Sequence, residues 1–412
     1  MSGAKPLAAP PSPRLASPRL ASPWLVVLVA TAVQATAALS TLGPATIAPD
    51  LAAGLGLSPR LIGYQVTFIY IGAVATSTLG GALVARLGAC RTSQLALCLI
   101  GLGAALMAAG WLPLMAAGST VMGLGYGLTN PAASHLIMRF ATGPRMNLVF
   151  SIKQTGVPWG GMVAGLVLPT VALLFGWRVA LLTITLLALA IALALQPARA
   201  GWDDDRDPAR GVGRNPLAGV RLVWRIPGLR WLSIAGLMLA VSQLCLLSFL
   251  VTLLVEDLDY DLVRAGFVVS VVHVVGVIGR ITWGVVADRL RDGLGVMLAL
   301  VGVIIVVALG ATAVTPEWPP LLVVGLFALF GATAVGWNGV YMAEIARLAP
   351  AGQAGAATGG SLVFTFGGIL VGPAGFAAEA GALGSYAHAF ALVAAAGALA
   401  AAAVVLARRA AP

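Results

Sequence analysis

Charge is what this sequence has least of. Of 412 residues only 9% are charged, against about 25% in an ordinary soluble domain. Acids are scarcest, with 14 Asp and Glu against 24 Lys and Arg. So little polar surface cannot cover a soluble fold of this length. A cytosolic enzyme, a disordered scaffold and a secreted disulfide protein are excluded. Cysteine is sparse too. Cys90, Cys98 and Cys245 sit in or beside apolar stretches and share no spacing for zinc, redox or disulfide chemistry. They read as small core hydrophobes. No nucleophile–base set or metal-ligand cluster falls in the apolar stretches, so no enzyme activity, cofactor or metal is expected. What the chain has is apolarity: 60% of residues are hydrophobic and mean hydropathy is +0.99. In such a chain the net charge of +10 points to basic loops on the cytoplasmic side of a membrane, not to nucleic acid.

A membrane span needs about 20 mostly apolar residues. Twelve such stretches are read: 24–48, 60–84, 92–111, 113–138, 148–174, 178–196, 230–255, 263–287, 293–315, 320–345, 357–379 and 384–407. They are expected to be helical throughout, because lipid forces each backbone group to find its partner within the segment. Residues 1–23 are rich in Pro, Ala and Ser and carry a direct repeat starting at Ser12 and Ser17. They read as a disordered basic tail without a cleavable signal. The long polar segment 197–229, with Asp203, Asp204 and Asp205 in a run, reads as a solvated linker between two groups of six spans. The expected domains are thus 1–23, 24–196, 197–229, 230–407 and a short tail 408–412. With the N-terminus inside, 19 of the 24 cations fall on the cytoplasmic side, while Arg60, Arg178 and Arg264 fall outside. That bias predicts a multi-pass membrane protein with both termini cytoplasmic, and a bacterial inner membrane is the expected location.

The two halves repeat. A shift of 203 residues places Gly63 on Gly266, Gly81 on Gly284 and Arg86 on Arg289. A shift of 208 places Asn130 on Asn338 and Arg139 on Arg347. Duplicated six-helix bundles place a binding site at their interface near the midplane. After the eighth span stands Gly284-Val-Val-Ala-Asp288-Arg289; after the second stands Gly81-Ala-Leu-Val-Ala85-Arg86. With this pattern the chain resembles the major facilitator superfamily, whose signature loop is Gly-x-x-x-Asp-Arg after both spans. The resemblance implies an all-α membrane protein of 12 transmembrane helices in two pseudo-symmetric bundles, acting as a secondary transporter. It implies a gating role for Gly81, Arg86, Gly284, Asp288 and Arg289. Ala85 stands where the family has Asp, which puts the latch of the first half in doubt. A carboxylate at Asp288 suits a helix N-terminus.

Two cations remain inside spans, Lys153 and Arg280. Each costs roughly 2.5–3.5 kcal/mol on insertion scales. Arg280 lies eight residues before Asp288, about 12 Å along the helix, and Lys153 lies eight after Arg145, at a similar depth. Converging cations suit an anion, and the fork of Arg suits a carboxylate. Two plainer readings stay open: a structural pair for Arg280 and snorkelling for Lys153. Arg280 stands four residues before Gly284. That position resembles the carboxylate-binding arginine of the oxalate/formate and monocarboxylate branches. The segment Ser151–Pro158 resembles bacterial permeases of the cyanate/nitrate-like part. A small anion, chiefly an organic carboxylate, is therefore the expected substrate, with the proton as coupling ion and the chain acting as a monomer in the bilayer. His273, two turns before Arg280 on the same face, is either a proton carrier or a packing histidine. Glu344, three residues before Arg347, is either a local ion pair or a proton carrier. Tyr70 is the counterpart of His273 by the 203 shift. Gln34, Gln154, Gln243, Trp337 and Asn338 are further candidates for substrate contact, with interhelical hydrogen bonding as the alternative for the amides. A drug/proton antiporter is the runner-up. Ser119 stands where that group has an arginine, Gly156-Val-Pro158-Trp-Gly160-Gly161 departs from its span-5 motif, and the first and fourth spans lack a mid-span acid.

Overall fold

The computed structural model describes residues 22–56, 64–141, 143–209, 211 and 217–410. The tail 1–21, with its direct repeat, lies outside them. The described residues form an all-helical bundle. Its long rods are α1 (Pro23–Thr46), α2 (Tyr64–Leu87), α3 (Ala89–Ala108), α4 (Leu112–Phe140), α5 (Met146–Phe175), α6 (Trp177–Trp202), α7 (Pro227–Asp257), α8 (Leu262–Leu290), α9 (Gly293–Thr312), α10 (Pro320–Leu348), α11 (Ala354–Leu383) and α12 (Tyr386–Ala410). Eleven are long and apolar enough to cross a membrane. The twelfth expected span, α4, has 29 residues. Its length suffices, but Ser119, Thr129, Asn130 and Ser134 dilute its hydropathy. All four are buried, because α4 runs through the interior against α1, α2, α3 and α11.

Apolar side chains cover the outside: Leu166, Leu173, Leu186, Leu193 and Leu321 stay largely exposed. In water that would be a defect; in lipid it is the natural surface. Close helix approach relies on missing side chains. A Cβ on Gly123 would strike the Ile69 backbone of α2, and one on Gly103 would strike Gly118 of α4. Gly160 meets Ala35 and Leu39 of α1, while Gly368 meets Leu237 and Ala240 of α7. Those two glycines are 208 residues apart, so the pseudo-symmetry extends to α5 and α11.

The scarce acids close helix N-termini, where backbone N–H groups lack partners. Asp203 accepts from the N–H groups of Cys90 (2.7 Å) and Arg91 (3.1 Å) at the start of α3. Asp292 accepts from Gly295 at the start of α9, and Asp257 accepts from Ala387 and Ser385 at the start of α12. Asp288 does the same for α5, across the two halves.

Asp203 corrects the reading of 197–229 as solvated linker. α6 continues to Trp202, which is buried, and α7 begins at Pro227. Asp203 is 5% exposed and sits against Gly88, whose φ of +94° and lack of Cβ make room for it. Asp204 pairs with Arg139, and Asp205 pairs with Arg139 and His135 (2.7 Å). Burial pushes the Asp203 carboxyl up, opposed by the two N–H groups. Burial pushes Asp205 the same way, but the hydrogen bond and charge of His135, with Arg139, hold it below the usual carboxylate range. Further on, a short helix Ala218–Arg225 lies on α11 and α2, with Gly219 against Ala356 and Trp224 stacked on Phe364.

The halves are knit at the side that carries the start of α1 and the end of α12. There Gly81 packs on Ala356, Gly359 on Ser77, and both Gly284 and Gly339 on Ser151. Away from that side the halves part. Gly284 and Gly266 lie on one face of α8, 18 residues or five turns apart. The first is pressed against the other half; the second faces open space.

Candidate functional site

A cavity of about 100 Å³ lies between the halves. Gln34, Tyr70, Tyr126, Asn130, Gln154 and Val157 line it from the first half. Ala240, Gln243, Arg280, Trp337, Asn338, Met342, Thr365 and Phe366 line it from the second. Six expected substrate-contact residues beside Arg280 are thus brought together: Tyr70, Gln34, Gln154, Gln243, Trp337 and Asn338. Lys153, His273 and Glu344 are not among the lining residues.

Arg280 reaches the cavity because two helices break in front of it. The Gln154 carbonyl lacks its helical donor, since the residue four places on is Pro158, which has no N–H. α5 is interrupted at Thr155. Arg280 Nη1 donates to that freed carbonyl at 2.5 Å, across the two halves. α10 likewise leaves regular helix between Ala334 and Asn338, and Arg280 Nε donates to the Val335 carbonyl at 2.9 Å. The arginine is 2% exposed. Its remaining N–H groups are left for the cavity, which among the described residues no Asp or Glu lines.

Lys153 sits one layer behind the wall. It does not snorkel: it is 2% exposed. Its ammonium donates to Gln34 Oε1 at 2.7 Å, Gln154 Oε1 at 3.0 Å and Asn130 Oδ1. An ammonium has three donors and no acceptor. Its hydrogens are therefore committed, and all three amides must turn an oxygen toward it. Their N–H2 ends then point away from Lys153. Lys153 thus does not line the cavity but orients three residues that do.

The second half shows a related pattern without a cation. Gln243 Oε1 accepts from Trp337 Nε1 (3.0 Å) and Asn338 Nδ2 (2.9 Å), so the oxygen is consumed and the Gln243 N–H2 is again left as donor. Tyr70, Tyr126 and Phe366 form an aromatic cluster across the halves, with ring centroids 5.5 to 6.2 Å apart. Tyr126 and Phe366 were missed in the sequence. Tyr126 follows Gly125 in a glycine-rich run that reads only as packing, and phenylalanine in a span carries no signal.

His273 is exposed, two turns from Arg280 toward the open end, with Nδ1 2.9 Å from the Val269 carbonyl. Glu344 lies at the knit side, paired with Arg347 and packed against Gly293. At the same side Asp288 accepts from the Asn147 N–H (3.0 Å), Asn147 Nδ2 (2.8 Å) and the Leu148 N–H (2.8 Å). Arg86 and Arg289 are exposed there.

The Major Facilitator Superfamily family model matches residues 28–373. The chain belongs to the major facilitator superfamily. It is therefore a membrane secondary transporter, with the two helix bundles of that fold. The fucose:proton symporter FucP of E. coli is similar in structure, with a TM-score of 0.74, 17% identity, and coverage of 95% of this chain and 100% of that one. The proton:xylose symporter XylE, solved with 6-bromo-6-deoxy-D-glucose, matches with a TM-score of 0.68, 18% identity, and coverage of 92% and 94%. A bacterial homologue of the iron transporter ferroportin, outward-facing, matches with a TM-score of 0.69, 14% identity, and coverage of 92% and 99%. At these identities the likeness concerns the fold. Among curated proteins none is significantly similar in sequence.

Proposed function

We propose that this transporter moves a small anion, chiefly an organic carboxylate, driven by a proton gradient across a bacterial inner membrane. The observation that carries the reading is Arg280: a buried guanidinium in the cavity between the halves, where no carboxylate lines the wall among the described residues. An anion supplies the charge the wall lacks, and amide N–H2 groups add neutral donors. The knit side, which bears both ends of the described chain, is taken as cytoplasmic on the arginine count. The arrangement then corresponds to a state closed inside, and rocking of the halves about the site gives alternating access. Proton coupling is supported by the symporters of similar fold. Efflux of cationic drugs, the alternative, finds no carboxylate among the described cavity residues to receive them.

A thermal-shift panel on the purified protein tests the substrate class. Formate, oxalate, acetate, nitrate and cyanate are set against cationic dyes and xylose. Stabilisation by one or more anions, lost in Arg280→Ala, is expected. Stabilisation by dyes or xylose alone sinks the anion reading.

A further inference from the structure

Gln154 touches both buried cations at once. Its backbone carbonyl accepts from Arg280 and its side-chain oxygen accepts from Lys153. The partners of Lys153 are neutral amides from α1, α4 and α5. The charged and titratable groups on the elements around it are engaged elsewhere: His135 and Arg139 of α4 pair with Asp204 and Asp205, and His273 and Arg289 of α8 are exposed. Arg280 of α8 repels it. Asp288 of α8 is spent on the α5 N-terminus. Glu344 of α10 is paired with Arg347, and Tyr341 of α10 lies against Trp337 and Thr365. Tyr126 of α4 and Tyr70 of α2 are neutral phenols in the aromatic cluster; α1 adds only Gln34. Two cations thus share one buried interface, and Lys153 forms no ion pair among the described residues.

We propose that Lys153 carries the coupling proton, and that its amide cage passes the protonation state to the cavity; the proposal rests on the anion reading above. Arginine keeps its proton throughout, so lysine is the member of the pair that can release one. With the cavity empty, two adjacent buried charges repel. Lys153 then gives a proton to water admitted when an amide of the cage turns aside: one N–H bond breaks, and the electron pair stays on Nζ. An amine has two N–H donors and one acceptor, so it can no longer bond three amide oxygens. One of Gln34, Asn130 or Gln154 must turn its N–H2 onto Nζ, presenting an oxygen to the cavity instead. An anion at Arg280 reverses this. It favours the ammonium, which turns all three amides back to donors. By linkage the proton strengthens anion binding as much as the anion strengthens proton binding. A monovalent anion and one proton then cross together, without net charge.

The sequence makes the test direct, since Lys5 and Lys153 are its only lysines. The full-length chain is made with Lys5→Arg and with 13Cε-labelled lysine, so that one lysine remains to give a signal. We expect that signal to titrate between roughly pH 6 and 9, where an ordinary lysine stays protonated. A signal unchanged across that range overturns the assignment. Assignment is checked by Lys153→Met, which removes the signal; if that variant does not fold, Lys153→Arg serves equally. No transported solute is needed, so the anion panel and this titration fail independently. A chain that binds anions with a fixed lysine signal keeps the anion site and loses the proton carrier. A titrating lysine with no anion response keeps the proton site and loses the anion reading.

Discussion

Arg280 of the second half holds the Gln154 backbone carbonyl of the first at 2.5 Å. That bond exists because Pro158 leaves the carbonyl without its helical donor. One residue lacking an N–H thus creates the acceptor that ties a guanidinium across the translocation interface.

Changing Arg280 breaks both of its main-chain bonds. Arg280→Lys keeps the charge but loses the fork that reaches Gln154 and Val335 together. Leaving a buried carbonyl unpaired costs about 1–3 kcal/mol. Both Arg280→Lys and Arg280→Ala are expected to insert and to lose anion stabilisation, with Ala the more severe. Thermal shift against anion concentration reads the difference.

Pro158→Ala acts on the other partner. The new N–H at 158 competes with Arg280 for the Gln154 carbonyl, and α5 straightens. We expect helix stability to rise and anion affinity to fall about tenfold, equivalent to about 1.4 kcal/mol. Unchanged affinity would separate the proline from the site.

The knit side depends on Gly284 and Asp288. A Cβ at Gly284 would strike Ser151, and Asp288 accepts three hydrogen bonds at the α5 N-terminus. Removing a carboxylate cap costs about 0.5–2 kcal/mol. Gly284→Leu and Asp288→Ala are expected to shift the population toward a state open at this side. Spin-label distances between α2 and α11 there should lengthen in both variants.

The linker acids make a pH-dependent contribution. Asp205 is held below the usual carboxylate range. Its stabilisation is therefore present above the unfolded value of about 3.9 and is lost as pH falls through the lower folded value. Asp205→Asn should lower the melting temperature at pH 7, and the gap to the parent should close toward pH 3. A gap unchanged with pH would show that the carboxylate charge is not what His135 and Arg139 hold.

Much of the fold is legible in the chain. Length, apolarity and the lipid requirement for paired backbone force helices, and the runs mark them to within a few residues. The repeat by 203 and 208 positions shows two halves, and the rarity of charge singles out Lys153 and Arg280. Less was legible around the acids. Asp203, Asp204 and Asp205 look like solvated linker, since sequence does not show that Gly88 leaves a pocket for one carboxylate at the start of α3. Glu344 does pair with Arg347, one of its two expected roles, while His273 lies exposed toward the opening. Position along a helix fixes depth and face but not what lies opposite.

Sequence alone therefore determined the medium, the helices, the duplication and which side chains are too costly to be idle. Those follow from local composition and the free energy of burying polar groups. Only the tertiary structure decided that Arg280 reaches the cavity while Lys153 stands behind three amides. That outcome depends on which helices break, which carbonyl a proline leaves free and which oxygens converge from α1, α4 and α5, all of them relations between residues distant in the chain.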